Sequence, residues 1–285
     1  MTQTHETWTL LKVLDWTRGY LAEKGVENAR LEAEWLLCAV LDLDRVGLYL
    51  NFDKPMNERE LSAYREMVAR RARREPLQYI LGTQEFMGFE FEVTPAVLIP
   101  RHDTEVLVAE AVKRGEQART ALDIGVGSGC IAVALAKLLP QATVYGVDQS
   151  GPALALAQRN AEKNGARVTL YEGSLFEPFP GERFDLIVSN PPYIPTADLD
   201  TLQPEVREHE PRAALDGGAD GLDFYRIIIP AAPDHLNPGG WLIFEVGVDQ
   251  AEGVLAIFRE SGRFGELFTA KDPALIERVV GARLL

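Results

Sequence analysis

The chain is poor in the residues that announce a metal centre, a disulfide framework or a membrane anchor. Among 285 residues there are two cysteines and four histidines. Cys38 and Cys130 lie far apart in apolar, helix-like surroundings, the pattern of reduced thiols in a reducing compartment. His5, His102, His209 and His235 form no H-x-x-x-H spacing and no C-x-x-C pair accompanies them, so no metal is expected. No segment approaches the roughly 18 apolar residues of a membrane span, and no basic stretch followed by an apolar one opens the chain. The expectation is a cytoplasmic protein without membrane contact. Internal repeats and low-complexity runs are missing as well.

Positive charge is the other shortage. Lys and Arg number 29 against 43 Asp and Glu, a formal charge of −14. The deficit is uneven, since residues 1–75 hold 12 basic and 13 acidic side chains and leave 17 basic against 30 acidic in the remainder. Such a field repels a phosphate backbone and favours a cationic ligand, so no direct nucleic-acid substrate is expected. One basic cluster stands out, Arg65, Arg70, Arg71, Arg73 and Arg74. It reads as a solvated helix end, with contact to an acidic protein or RNA as the alternative.

Patterning divides the chain into three. Residues 1–75 read as a small helical domain: Leu10, Leu11, Leu14 and Leu21 form one apolar stripe, and Leu31, Trp35, Leu36, Cys38, Ala39 and Val40 form another after a cap at Asn28. A third helix starts at Asn57, with Glu60 completing a capping-box pattern. Residues 76–100, from Gln78-Tyr79-Ile80-Leu81 to Phe89-Glu90-Phe91-Glu92-Val93, are aromatic and glycine-punctuated, which predicts a β-hairpin linker. From 101 to 285 helices and strands alternate through Val106–Val112, Ala121–Ile124, Val144–Val147, Val168–Tyr171, Phe184–Val188, Leu222–Ala232 and Trp241–Val246. The implied fold class is α/β, a parallel, doubly wound Rossmann-like sheet.

Two motifs fall at strand ends in that sheet, where such folds bind ligands. Gly125-Val126-Gly127-Ser128-Gly129 follows a buried strand and opens a helix of small residues, a turn in which backbone can approach a ligand closely. A dinucleotide fingerprint would place Gly or Ala at 130, where Cys130 stands. The spacing favours a ligand without a pyrophosphate, such as S-adenosylmethionine. Asp148 ends the next strand, placed to take both ribose hydroxyls; a helix cap before Pro152 is the other role open to it. Asp123, just before the turn, is a second-ranked contact for the ligand's amino group.

The second motif is Asn190-Pro191-Pro192-Tyr193. An amide or exocyclic amine has a delocalised lone pair, so methylating it requires two acceptors that hold both N–H groups. The Asn190 side-chain oxygen and the Pro191 carbonyl qualify, and successive prolines hold the backbone in place beforehand. Tyr193 offers an aromatic face for a flat group. N-P-P-Y alone is also an ordinary Pro-rich turn. Its convergence with Gly125, Asp148 and Phe176 on one edge of the sheet favours the catalytic role.

These motifs resemble class I S-adenosylmethionine-dependent methyltransferases. Leu98-Ile99-Pro100-Arg101-His102-Asp103-Thr104-Glu105, Glu210-Pro211-Arg212-Ala213-Ala214-Leu215 and Gly221-Leu222-Asp223-Phe224-Tyr225-Arg226, with the helical N-terminal part, resemble the HemK/PrmC family. That family methylates the glutamine of the Gly-Gly-Gln motif in peptide chain release factors. The resemblance implies S-adenosyl-L-methionine as cofactor, release factors as protein partners, and a helical domain at 1–75 that docks substrate. It further implies that Gly125 to Gly129 border the methionine part, that Asp148 holds the ribose and that Phe176 lies against adenine. Asn190, Pro191, Pro192 and Tyr193 would hold the glutamine amide. Two positions depart from the family pattern: Ser174 stands where such enzymes often have an acid, and His102 where many relatives have proline. Glu245, on a late apolar strand, reads as structural, and Phe258 and Phe268 as core.

The implied reaction is a direct in-line transfer governed by positioning, with no covalent enzyme intermediate. A DNA or RNA exocyclic-amine methyltransferase would share the N-P-P-Y chemistry but calls for a basic recognition segment. A cofactor-binding regulator would need the glycine turn and Asp148 but no amide grip.

Overall fold

A computed structural model describes residues 7–285; His5 lies outside them. The chain divides into two compact units, one running to Gly82 and including Gln203–His209, the other formed by Thr83–Leu202 and Glu210–Leu285. The division thus falls beyond residue 75, and the first unit takes in a short segment from far along the chain.

The first unit contains α1 (Leu10–Glu23), α2 (Ala29–Leu41), α3 (Arg45–Leu50), α4 (Glu58–Arg71) and α5 (Leu77–Leu81). Asn57 accepts from Glu60 N while Glu60 accepts from Asn57 N, so the capping box starts α4 as its sequence predicts. The core is Leu10, Val13, Leu14, Leu21, Ala33, Leu36, Leu37, Tyr64 and Val68. Leu11, Leu31 and Trp35 face outward, against the stripes assigned to them. Gln78–Leu81 is helical rather than part of a hairpin.

The basic cluster is only partly a solvated helix end: Arg65 and Arg73 are exposed, but Arg70, Arg71 and Arg74 are paired with carboxylates. Arg71 is buried and pairs with Glu32 and with Glu205, the latter at 2.9 Å. Arg74 reaches the other oxygen of Glu205 at 2.7 Å, and Arg70 pairs with Glu75. A buried guanidinium requires carboxylate partners, and Glu205 comes from the helix Pro204–His209 that belongs to this unit.

The second unit opens with the hairpin β1 (Thr83–Phe86) and β2 (Phe89–Glu92), then α6 (Thr104–Arg114), β3 (Thr120–Ile124), α7 (Cys130–Leu138), β4 (Thr143–Asp148), α8 (Gly151–Lys163), β5 (Val168–Glu172) and β6 (Phe184–Ser189). The Pro204–His209 helix is α9. Then come α10 (Asp223–Ala231), β7 (Leu236–Glu245), α11 (Ala251–Ser261), β8 (Phe264–Lys271) and β9 (Glu277–Leu284). The seven-stranded sheet has the order β5-β4-β3-β6-β7-β9-β8. β3 to β7 pair in parallel and β9 and β8 antiparallel. Val106–Val112 and Leu222–Ala232 are helices in this alternation. The antiparallel pair that closes the sheet was not foreseen.

Burial follows the pleat. Ala121, Leu186, Val188 and Ile243 face one core with α6 and α7, while Leu122, Ile124, Ile187 and Phe244 face the other with α10 and α11. Asp185 ties three strands at their starts. Its Oδ2 accepts from Arg119 N at 2.7 Å and Thr120 N at 3.0 Å, and its Oδ1 from Asn237 Nδ2 at 2.7 Å. Burial raises the carboxyl's pKa, but these donors outweigh it and hold it below the usual range. Asp185→Ala is expected to destabilise the protein by about 2 kcal/mol in urea melts at neutral pH. The wild type loses that increment as pH falls through the carboxylate range, and the variant shows a shallower acid decline.

Candidate active site

β3 delivers the chain into the glycine turn. Gly125 and Gly127 have φ of +78° and +52°, which disfavour side chains, and a Cβ at Gly125 would meet nothing within 4 Å. The turn is therefore open on its outer side. It is sewn to the end of β4: Gly125 N and Val126 N donate to Val147 O at 2.9 and 3.1 Å. Asp148 Oδ2 accepts from Gly127 N and Oδ1 from Ser150 N, both at 2.9 Å. A carboxylate keeps further lone pairs after two such bonds. Asn160, fully buried, donates to Ser128 O at 2.8 Å and accepts from Glu92 N at 2.7 Å, bracing the turn against the hairpin.

β6 delivers Asn190. Asn190 Nδ2 donates to Thr104 Oγ1 at 3.3 Å. The following loop is held by its backbone: Ile194 N donates to Leu215 O, Gly217 N to Ile194 O, and Gln250 Nε2 to Tyr193 O at 2.8 Å. Gly221 has φ +77°, and a Cβ there would come within 2.2 Å of the Tyr193 carbonyl oxygen. Only glycine permits that approach. Arg101 pairs with the buried Glu210, which also accepts from Ile99 N, and Arg278 holds Asp103 at 2.9 Å.

These elements enclose a cleft of about 640 Å³, bordered by Gly125 to Ser128, Asp148, Asn190, Pro191 and Pro192. Gly129 lies just off its wall, against Ala157. Phe176 is not brought there: its buried ring stacks on His235 with centroids 4.3 Å apart, and Gln149, Ser150 and Leu175 line the cleft instead. The Tyr193 ring does not line it either. It packs against the core under α10 and sends its hydroxyl to Glu245 Oε1 at 3.4 Å. Thr104 falls in a segment that carries the family resemblance but gains no role from it, Glu245 reads from sequence as structural, and no local pattern marks Asn160 or Gln250.

Two acids under the cleft are shielded from water. Burial pushes Asp123 up to about 7, partly opposed by the Ala132 N–H that its Oδ2 accepts at 3.1 Å and aided by Asp148. Burial likewise raises Glu245 to about 7. The Cys130 thiol goes up to about 12 for the same reason, which suits a packing role.

Models of known families match both parts of the chain: the PrmC N-terminal domain at residues 12–82 and the methyltransferase small domain at 102–205. A methyltransferase from Pyrococcus furiosus shares the fold at TM-score 0.52 and 22% identity, over 75% of this chain and 98% of its own. A 16S rRNA methyltransferase from T. thermophilus does so at 0.53 and 20%, over 71% and 50%. The protein is a methyltransferase, with the fold of those enzymes. The release factor glutamine methyltransferase of Geobacter sulfurreducens is 72% identical over 100% of both chains, and that of Moorella thermoacetica 48% over 86% of this chain and 87% of its own. The chain belongs to the HemK/PrmC family.

Asp123 gives a pH signature. The folded state holds its proton up to about 7, whereas an unfolded Asp releases it near its ordinary value of 3.8. The stability this contributes is full below that lower value and is lost as pH rises to about 7. In cofactor-free protein, urea melts are expected to show stability falling over this window, and Asp123→Asn to make the fall shallower.

Proposed function

We propose that this protein transfers the methyl group of S-adenosylmethionine to the side-chain amide nitrogen, N5, of the glutamine in the Gly-Gly-Gln motif of peptide chain release factors. The observation that carries the reading is the orientation of Asn190. Its NH2 is engaged by Thr104, so its Oδ1 is the group left to accept from an incoming amide N–H. The relatives at 72% and 48% identity are release factor glutamine methyltransferases, which supports this substrate over a nucleic-acid base.

The open glycine turn and the two-oxygen anchor of Asp148 fit the cofactor. Gly125 to Gly129 would border its methionine part and Asp148 its ribose. When bound, the cofactor supplies a methyl group activated by a sulfonium. Asn190 Oδ1 and the Pro191 carbonyl grip the two N–H groups of the substrate amide and turn its nitrogen toward that methyl group, a preorganised arrangement. Pro191 and Pro192 shield the grip from water. The adenine wall falls to Gln149 and Leu175 in place of Phe176. Tyr193 serves by anchoring the loop, and the helical part at the N-terminus supplies remote contacts with a folded substrate.

Three outcomes are expected. Asp148→Ala weakens cofactor binding by about 10- to 150-fold in calorimetric titration, the loss of roughly 1.5 to 3 kcal/mol of charge-assisted hydrogen bonding. Asn190→Ala lowers turnover by roughly 100-fold while cofactor affinity changes far less. Mass spectrometry of release factor incubated with enzyme and cofactor shows one added methyl on the Gly-Gly-Gln glutamine. Transfer to tRNA or duplex DNA with the release factor untouched would replace this reading.

A further inference from the structure

Pro100 and Arg101 form one part of the cleft wall, and Pro211, Ala213 and Asp216 another. Glu210, whose side chain is 1% exposed, ties the two together: Oε2 accepts from Ile99 N at 3.3 Å and Oε1 from Arg101 Nη2. That bond is the one the Arg101 guanidinium makes among the described residues. A guanidinium carries five N–H donors in a planar fork. One edge is therefore fixed on Glu210, and the remaining donors belong to a side chain that is 37% exposed and lines the cleft. Among the described residues that wall holds one cation, Arg101, beside the acids Asp148 and Asp216.

We propose that Arg101, held by Glu210, is a substrate-binding residue that donates to the main-chain carbonyls of the Gly-Gly pair preceding the methylated glutamine. This rests on the Gly-Gly-Gln substrate proposed above.

Two glycines offer no side chain to read, so an enzyme that recognises them must bind their backbone. Asn190 Oδ1 and the Pro191 carbonyl are acceptors and serve the glutamine amide; the substrate's own carbonyls need donors. Pro100, Pro191, Pro192 and Pro211 line the cleft with no N–H to give. Arg101 supplies what these neighbours lack, and a carbonyl enclosed without a partner weakens binding. Glu210 adds preorganisation, since a long side chain pinned at one edge loses less freedom when its other edge binds.

A carboxylate is the other oxygen ligand an arginine takes, and the cofactor carries one. Two observations favour the neutral acceptor. Glu210 already balances the Arg101 charge, and Asp148 and Asp216 make the rest of the wall acidic, so a further anion there meets repulsion. The start of α7 behind the glycine turn, a helix N-terminus, suits the cofactor's carboxylate better.

Arg101→Gln should lower kcat/KM for methyl transfer to release factor about tenfold or more, the worth of a charge-assisted hydrogen bond. In calorimetric titration it should weaken the binding of release factor to enzyme loaded with S-adenosylhomocysteine by a similar factor. Kd for S-adenosylmethionine should stay within about threefold. Arg101→Lys should lose nearly as much as Arg101→Gln, because an ammonium spent on Glu210 has no second edge. A ligated release factor whose Gly-Gly carbonyls are replaced by thioamides, with weakly accepting sulfur, isolates the contact. That replacement should raise Kd about tenfold for wild type and less than about threefold for Arg101→Gln.

Release-factor binding that Arg101→Gln leaves unchanged overturns the proposal, as does a thioamide penalty that is the same with and without Arg101. A loss of affinity for S-adenosylmethionine that vanishes with its decarboxylated form hands the guanidinium to the cofactor and overturns it too. Should removing the charge beside buried Glu210 prevent folding, the paired change Arg101→Gln with Glu210→Gln, which buries no unpaired carboxylate, carries the same measurements. A wild type that transfers nothing to release factor defeats the substrate reading and this assignment together. Arg101 variants that methylate release factor with full efficiency defeat the assignment alone.

Discussion

The parallel pairing of β3 with β6 governs where the chemistry can sit. Its register runs from Ala121 opposite Leu186 to Ile124 opposite Ser189, and Ser189 Oγ closes it by donating to Ile124 O at 2.7 Å. Parallel strands share a carboxyl end, so the turn after Ile124 and the loop after Ser189 emerge side by side. β4 lies on the other flank of β3 and brings Asp148 to the same edge. The pairing also tolerates no slip. A shift by one residue would exchange the faces of Leu186, Ile187 and Val188, all fully buried, between two cores that are filled differently.

Carboxyl groups withdrawn from water are accommodated in two ways in this chain. Asp185 and Glu205 are surrounded by donors or guanidinium groups, which overcome desolvation and hold them ionised. Asp123 and Glu245 each keep one oxygen without a partner, and burial dominates. A buried acid short of donors avoids the cost of an unpaired charge by taking a proton. The donors around each group set which of the two states it adopts. The residue type is the same.

The sequence made the sheet, the glycine turn, Asp148 and the Asn190 loop legible because each is a local signal: an apolar run, a spacing of glycines, a pair of prolines. The partners that shape the site are long-range. Thr104 lies 86 residues before Asn190, and Glu245 lies 52 after Tyr193. Periodicity says which face of a strand is buried, but not what a loop residue will meet. Phe176 and Tyr193 show the limit. An aromatic residue near a ligand edge can turn toward the ligand or into the core, and both rings pack inward. The arginine cluster fails for the same reason, since Glu205 lies 134 residues from Arg71. The closing β8–β9 pair was hidden by register shifts that break its alternation.

The segments that distinguish this family do more bracing than touching. Within Arg101–Glu105, Arg101 pairs with Glu210, Asp103 with Arg278, Thr104 with Asn190, and Glu105 accepts from Met87 N. Gly217 and Gly221 fit only because they lack a Cβ beside Tyr193, and Gln250 holds the Tyr193 carbonyl. His102 is the exception, largely exposed with a weak contact to Glu105, so the absence of a proline there disturbs nothing around it. An amide nitrogen reacts only when its lone pair is aimed, and aim is lost by small displacements of the acceptors that hold it. A site that works by aim therefore invests its distinctive residues in holding Asn190 and its neighbours still, which is where the contacts of these segments converge.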